Sequence, residues 1–291
     1  MGELFSLAAA VAWAFAVILF KKSGETHAPF ALNFFRVGVS CVLFVATLWL
    51  RGEELIRPVP LEDYVLLAAS GIIAIAVSDT LFHKSLNRVG AGISAIVDCL
   101  YSPFVVLCAF LLLGERLGPW QYGGMLLVLG GVFVAARHTP PPGITTRQLV
   151  AGVFWGLAAM ATLALGIVIA KPVLDRSPVL WATSIRQLAS LAVMLPMTFS
   201  RRHRRRIAAA FRPGKGWCYA LPGAILGSYV ALLFWIAGMK YTAAGAAAIL
   251  NQTSTIYVLV FASLFLGEAF TRRKVFASLL AIAGIAMVTL G

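Results

Sequence analysis

Four ionisable residues, Arg36, Asp79, Asp98 and Arg186, lie inside long apolar stretches of the chain. A charge near the centre of a bilayer costs roughly 2.5–3.5 kcal/mol on insertion scales, so such groups face a cavity or pair with one another. Two are basic and two acidic, which makes internal neutralisation available. Asp98 is suited to take up a proton or hold a substrate amine. Ser94, Asp98 and Tyr101 follow i, i+4, i+7 and share one face of a continuous helix. The structural alternative for Asp98 is an ion pair with Arg36. Arg36 and Arg186 can each bind a carboxylate or phosphate bidentately. Both lie near the starts of their apolar stretches, which also suits snorkelling to the interface. Asp79 and His83 are four residues apart, a spacing for a proton relay or for an interfacial capping pair. Trp13, Tyr101, Trp235 and Tyr257 can line a pocket or stack on a cation, or serve as packing and interface aromatics.

The elements that must hold these residues are ten apolar blocks: 4–20, 30–50, 64–82, 91–113, 120–136, 149–170, 179–199, 217–239, 243–266 and 275–290. Each is 16 to 24 residues long, close to the roughly 20 residues that cross a hydrocarbon core. Of the 35 Lys, Arg, Asp and Glu residues, 31 lie outside the blocks. Only 12% of residues are charged and 60% are hydrophobic, with mean hydropathy +0.90. That composition excludes a water-soluble globule, whose charged fraction is about 25%. In lipid every backbone amide must be bonded internally, so the blocks predict helices. Tilted barrel strands would be about half as long and alternate in polarity. The expected fold is all-α and integral to the membrane, with ten spans. The N-terminus lacks the basic start of a cleavable signal, so its first block reads as a permanent span. Cys41, Cys99, Cys108 and Cys218 all fall inside blocks and read as packing residues.

The chain repeats itself. Phe110-Leu-Leu-Leu-Gly-Glu115 closes the fourth block, and Leu264-Phe-Leu-Gly-Glu268 closes the ninth, 153 residues later. The same offset aligns Gly92 with Gly245, Ala95 with Ala248, Ile96 with Ile249 and Gly131 with Gly284, and sets Asp98 opposite Asn251. Earlier in each half an offset near 150 pairs Lys21 with Lys171 and Arg36 with Arg186. The face opposite the Asp98 face carries Asn251, Ser254 or Thr255, with Gln252 beside it. The expected units are residues 1–137, a linker at 138–148 holding Pro140-Pro-Pro-Gly143, and residues 149–291. Five spans per half turn the second half upside down, a known basis for alternating access.

Two five-span halves, each with Leu-Gly-Glu after its fourth span, resemble the EamA group of the drug/metabolite transporter superfamily. The resemblance covers nearly the whole chain. It implies two inverted five-helix repeats around a central cavity lined mostly by the first four helices of each half. It also implies transport of small metabolites, often export, without ATP hydrolysis. On that reading Asp98, Tyr101, Asn251, Gln252, Ser94, Thr255, Trp13 and Trp235 are substrate-site candidates. Asp98, Asp79, His83, Arg36 and Arg186 are candidates for charge or proton coupling. The substrate expected is a small polar or amphipathic metabolite such as an amino acid; a nucleotide-sugar or lipid-linked substrate is the alternative. A non-transporting structural or sensory subunit is the alternative of another class. Glu115 and Glu268 read as hairpin-fixing residues, each complementing the positive N-terminus of the helix that follows it. Gly123, Gly124, Gly130 and Gly131 thin the fifth helix for close packing, with Ala277, Ala281 and Gly284 at similar places in the tenth. Pro103 and Pro196 predict kinks.

There is no phosphate-binding loop of the ATP-hydrolysing type and no metal motif. No nucleophile–base arrangement is evident. The chain therefore reads as neither an ATP-driven pump nor an enzyme, with no cofactor. The partners expected are a metabolite, membrane lipid and protons, but not nucleic acid, for a monomer or homodimer in a bacterial-type cytoplasmic membrane. Loops after odd-numbered spans hold 16 Lys and Arg against 6 in the even loops. That bias favours both termini outside, whereas the resembling superfamily favours both inside. Seven of the 16 sit in one loop, which contains Arg201-Arg202-His203-Arg204-Arg205-Arg206. This run reads as an anchor beside anionic headgroups.

Overall fold

A computed structural model describes residues 2–113, 118–136, 145–241 and 250–290. Glu115, the Pro140–Gly143 segment and the repeat positions Gly245, Ala248 and Ile249 lie outside the described residues. Among the described residues the fold is all-α, with thirteen α-helices. In the first half these are α1 (Gly2–Ser23), α2 (Pro29–Leu50), α3 (Leu61–Gly71), α4 (Ser78–Asp98), α5 (Tyr101–Leu113) and α6 (Pro119–Ala136). The second half holds α7 (Thr146–Arg176), α8 (Val179–Met194), α9 (Arg201–Phe211), α10 (Trp217–Gly223), α11 (Ala231–Tyr241), α12 (Ser254–Leu266) and α13 (Arg272–Leu290). Six described helical stretches are long and apolar enough to cross a membrane: Gly2–Ser23, Pro29–Leu50, Leu61–Asp98, Thr146–Arg176, Val179–Phe199 and Trp217–Gly238. Shorter apolar helices run over Tyr101–Leu112, Pro119–Val134 and Leu250–Leu266.

Three departures from straight helices decide where side chains point. First, the third and fourth blocks are joined as one helical stretch that breaks at Gly90, whose φ is 81° and ψ 172°. A side chain is not tolerated at that backbone conformation. Second, the fourth block splits at Cys99–Leu100, between α4 and α5. Pro103 is the cause: it lacks the N–H that would bond the Cys99 carbonyl, and its ring crowds that carbonyl. The ninth block has a turn at the aligned residue, Thr253. There the Thr253 hydroxyl donates to the Leu250 carbonyl at 2.6 Å, competing with the helix ladder. Third, π-helical turns interrupt both halves, at Ile72–Val77 before α4 and Ala224–Val230 before α11. Their ends lie 152 and 153 residues apart, so they occupy matching places in the repeat.

A π turn frees carbonyls that hydrocarbon cannot satisfy. Asn33 on α2 answers this, donating to the carbonyls of Ile75 and Ala76 at 2.9 and 3.2 Å. Ser190 on α8 donates to the Gly71 carbonyl at 2.7 Å. The two halves interleave: α1 packs on α10, α11 and α12, α4 on α7, α2 and α3 on α8, and α6 on α13. Pro196 heads a 3-10 turn, Leu195–Phe199, that ends the seventh block.

The α6–α13 crossing uses the small residues expected there. A Cβ on Gly131 would stand 2.7 Å from the Ala277 carbonyl, and one on Gly284 2.6 Å from the Gly124 carbonyl. Both contacts are with backbone, which cannot swing aside. Gly131→Leu or Gly284→Leu should therefore cost about 1–3 kcal/mol or more through overpacking. A melting midpoint unchanged in either purified variant would show that the crossing is looser than drawn.

Candidate functional site

A cavity of about 230 Å3 lies where the interleaved halves meet. Its wall includes Trp13 of α1, Arg36 of α2, Asp79 and Asp98 of α4, Tyr101 of α5, Arg186 of α8 and Trp235 of α11. Asn251, Gln252, Ser254 and Thr255 complete it from the ninth block. Both helix breaks open onto this cavity. They are stitched to each other: Thr255 Oγ1 donates to the Ala95 carbonyl at 3.3 Å, and Gln252 Nε2 donates to Cys99 Sγ at 3.3 Å. The aligned breaks thus meet across the repeat.

Arg36 and Arg186 do not snorkel. Each is 5% exposed and turned inward. Their span-start positions suggested the interface, but α9 covers α2, and the α8 arginine reaches Ser70 at the end of α3. Arg36 Nη2 pairs with Asp79, not with Asp98, and the Arg36 guanidinium also stacks 5.5 Å over the Phe20 ring. Arg186 Nε donates to Ser70 Oγ at 2.9 Å. Among the described residues, no carboxylate pairs with Arg186 and no cation with Asp98. Asp98 Oδ1 is buried and has no hydrogen-bond partner. Among the described residues, the cavity wall therefore carries one ion pair and, apart from it, one guanidinium without a carboxylate partner and one carboxyl group without a cation partner.

His83 stands apart from the cavity wall. It is fully buried, edge-on to Phe20 with ring centroids 5.1 Å apart. Neither ring nitrogen has a partner, and Asp79 is engaged by Arg36 instead. The expected relay or capping pair with Asp79 is not formed. Nor is Asp79 interfacial, because the third block continues as helix well past it. Ser94 is likewise buried away from the cavity. The wall of the fourth block is Ala95, Asp98 and Tyr101. Ser94 and Asp98 both precede the break at Cys99–Leu100 and share a helix face, but the cavity meets only the arc that carries Ala95 and Asp98. Tyr257 stacks on Phe261 at 6.5 Å and does not line the cavity.

Sequence reasoning missed Thr183, Gln187 and Ser228, which line the cavity and are buried. Thr183 Oγ1, Gln187 Oε1 and Ser228 Oγ have no partner. A signal was available: Thr183 and Gln187 are uncharged polar residues four apart inside an apolar block, flanking Arg186 on its helix. Ser228 had only its place in the second π turn.

Glu268 does more than fix its own hairpin. Its Oε1 accepts from the Ala91 N–H at 2.6 Å and its Oε2 from the Gly92 N–H at 3.0 Å. These amides begin the fourth block just after the Gly90 break, in the other half of the chain. Lys274, in the helix that follows Glu268, is 3.5 Å from the same carboxylate. Lys21 Nζ closes the preceding helix end, donating to the carbonyls of Leu86 and Asn87 at 3.1 and 3.2 Å. One carboxylate thus clasps the two halves together.

Apolar helices long enough to span a membrane, interleaved around a mostly apolar cavity set with a few polar and charged groups, define an integral membrane transport protein. The EamA-like transporter family model matches residues 1–137 and 150–290, and the chain belongs to that family, within the drug/metabolite transporter superfamily. An uncharacterized transporter of Archaeoglobus fulgidus is 25% identical over 288 residues, covering 99% of this chain and 97% of that protein. An uncharacterized Pseudomonas aeruginosa protein is 27% identical over 221 residues, covering 75% and 71%. An uncharacterized transporter of Haemophilus influenzae is 26% identical over 132 residues, covering 45% and 43%. A solved crystal structure superposes with TM-score 0.68 at 20% identity, covering 99% of this chain and 96% of that one. The fold carries two EamA-like repeats. The family's members are transporters, not enzymes, and the chain is a secondary transporter of a small molecule.

Two outcomes test this geometry. Breaking a buried ion pair from one side costs about 3–5 kcal/mol, while replacing both partners together costs less. Arg36→Gln alone should therefore lower the melting midpoint more than Arg36→Gln with Asp79→Asn; equal losses would show that the pair is not coupled. Glu268→Gln, with one amide oxygen left to accept, should speed hydrogen exchange at Ala91 and Gly92 relative to the rest of α4. Unchanged exchange there would mean that the clasp does not hold those amides.

Proposed function

We propose that the chain crosses the membrane ten times, as units 1–137 and 149–291 joined by the 138–148 linker. The second half is inverted relative to the first, and the protein is an alternating-access exporter or exchanger. Its substrate is a small zwitterionic or amphipathic metabolite of the amino-acid kind, carried across a bacterial-type cytoplasmic membrane. One observation carries this reading: Arg186 and Asp98, without an ion-pair partner among the described residues, face a common cavity with Trp13 and Trp235. A guanidinium takes a carboxylate bidentately, a carboxylate takes an ammonium, and the indoles take an apolar side chain. Asn251, Gln252, Tyr101 and Thr255 supply uncharged hydrogen bonds on the Asp98 side. Asp98 also serves as the proton-coupling residue.

The closed Arg36–Asp79 pair argues against the nucleotide-sugar or lipid-linked alternative. A polyphosphate wants two free guanidinium groups, and Asp79 neutralises one. The Glu268 clasp supports alternation, since carboxylate–amide bonds between halves can exchange for equivalent bonds when the halves rock.

The test is a ligand-stabilisation screen of the purified protein followed by flux. A true ligand at one hundred times its Kd stabilises by about 2.7 kcal/mol. Zwitterionic amino acids should raise the melting midpoint of the wild type but not of Arg186→Gln. In proteoliposomes Asp98→Asn should abolish flux driven by a pH gradient while protein yield stays normal. Stabilisation by nucleotide sugars alone, or full flux in Asp98→Asn, would overturn the reading.

A further inference from the structure

The basic run after the seventh block is not an extended loop. It folds as α9, an eleven-residue helix, Arg201–Phe211. One edge is apolar and seated: Ile207 and Ala210 are buried in the main core. The Phe211 ring meets Phe35 and Phe34 of α2 edge-on, with centroids 4.9 and 6.1 Å apart. The rest of the circumference is cationic: Arg205 lies opposite the seated edge and Arg204 and Arg206 flank it, all three are exposed, and among the described residues no carboxylate pairs with any of them. Surface arginines on a chain with 24 basic and 11 acidic residues lack enough acids to answer them.

We infer that α9 is a binding site for anionic phospholipid headgroups. Its depth favours lipid over a soluble polyanion. Leu195, Met197 and Phe199, just before the arginines, are 47%, 51% and 83% exposed. In a membrane protein such a patch faces acyl chains, and the next helical turns then lie at headgroup level. A helix with one apolar and one arginine-rich edge at that level is an interfacial helix. Guanidinium groups pair with phosphate through two parallel hydrogen bonds. The site also has a line to the cavity. Phe35, on which Phe211 rests, precedes Arg36, whose guanidinium holds Asp79 in the cavity wall. Headgroups that fix α9 therefore brace the start of α2, whatever the substrate is.

The test uses the purified full chain in neutral detergent micelles and reads the melting midpoint as lipid is added. Phosphatidylglycerol should raise the midpoint and phosphatidylcholine should not. The triple variant R204Q/R205Q/R206Q should lose the phosphatidylglycerol shift while its midpoint without lipid stays near that of the wild type. R204K/R205K/R206K, which keeps charge but not the bidentate geometry, should keep only part of it. A full shift in the glutamine variant would overturn the site. So would an equal shift of the wild type with inorganic phosphate, which would mark a free-anion site, or with short duplex DNA. Should the glutamine variant fail to fold, the wild type still decides. Its shift should vanish in about 1 M salt, where the screening length is about 3 Å, and a shift that survives there would overturn the inference.

Discussion

Hydrocarbon offers no hydrogen bonds, so every carbonyl or charge placed within it must be answered by the protein. That demand is visible at several of the irregular places in its helices. The π turn at Ile72–Val77 frees carbonyls, and Asn33 answers two of them from a neighbouring helix. The breaks at Cys99–Leu100 and Thr253 face each other, and Thr255 reaches across to the Ala95 carbonyl. Irregular backbone is tolerated at membrane depth where it lines a cavity, and discontinuous helices at such depth are how many transporters build their sites.

The same demand sorts the charges. Arg36 pairs through Nη2 with Asp79 between α2 and α4, while its Nε and Nη1 have no partner among the described residues. Among the described residues, Arg186 donates through Nε to Ser70, and Asp98 keeps an oxygen without a partner. A polar group without a protein partner beside a cavity is tolerable when water can reach it. The unsatisfied oxygens of Thr183, Gln187 and Ser228 extend the same polar demand along the second half.

Away from the cavity, polar contacts hold elements to one another. Glu268 grips the start of the fourth block at a helix N-terminus, where backbone amides lack partners within the helix. Gly90, with its positive φ, creates that terminus inside an otherwise continuous helical stretch. A strained glycine in one half and an acid in the other are therefore parts of a single joint. On the outside, α9 shows the complementary arrangement, with its apolar edge seated on α2 and its arginines left to the surroundings.

Membrane residence, helical class, the repeat and the small-residue faces of α6 and α13 were legible in the residues. Each follows from local hydropathy, block length or identity at a fixed offset, none of which depends on what packs against what. The candidate site was legible in part. Arg36, Asp79, Asp98, Tyr101, Arg186, Trp13, Trp235, Asn251, Gln252 and Thr255 do share one cavity. Ser94 and His83 are buried against neighbouring helices and do not line the cavity; spacing along one helix does not say which arc of it meets a cavity. Partner choice was decided by tertiary structure alone. Arg36 meets Asp79 across 43 residues and Glu268 meets Ala91 across 177, because such contacts depend on how two helices are rotated toward each other. Periodicity along one helix carries no record of that rotation.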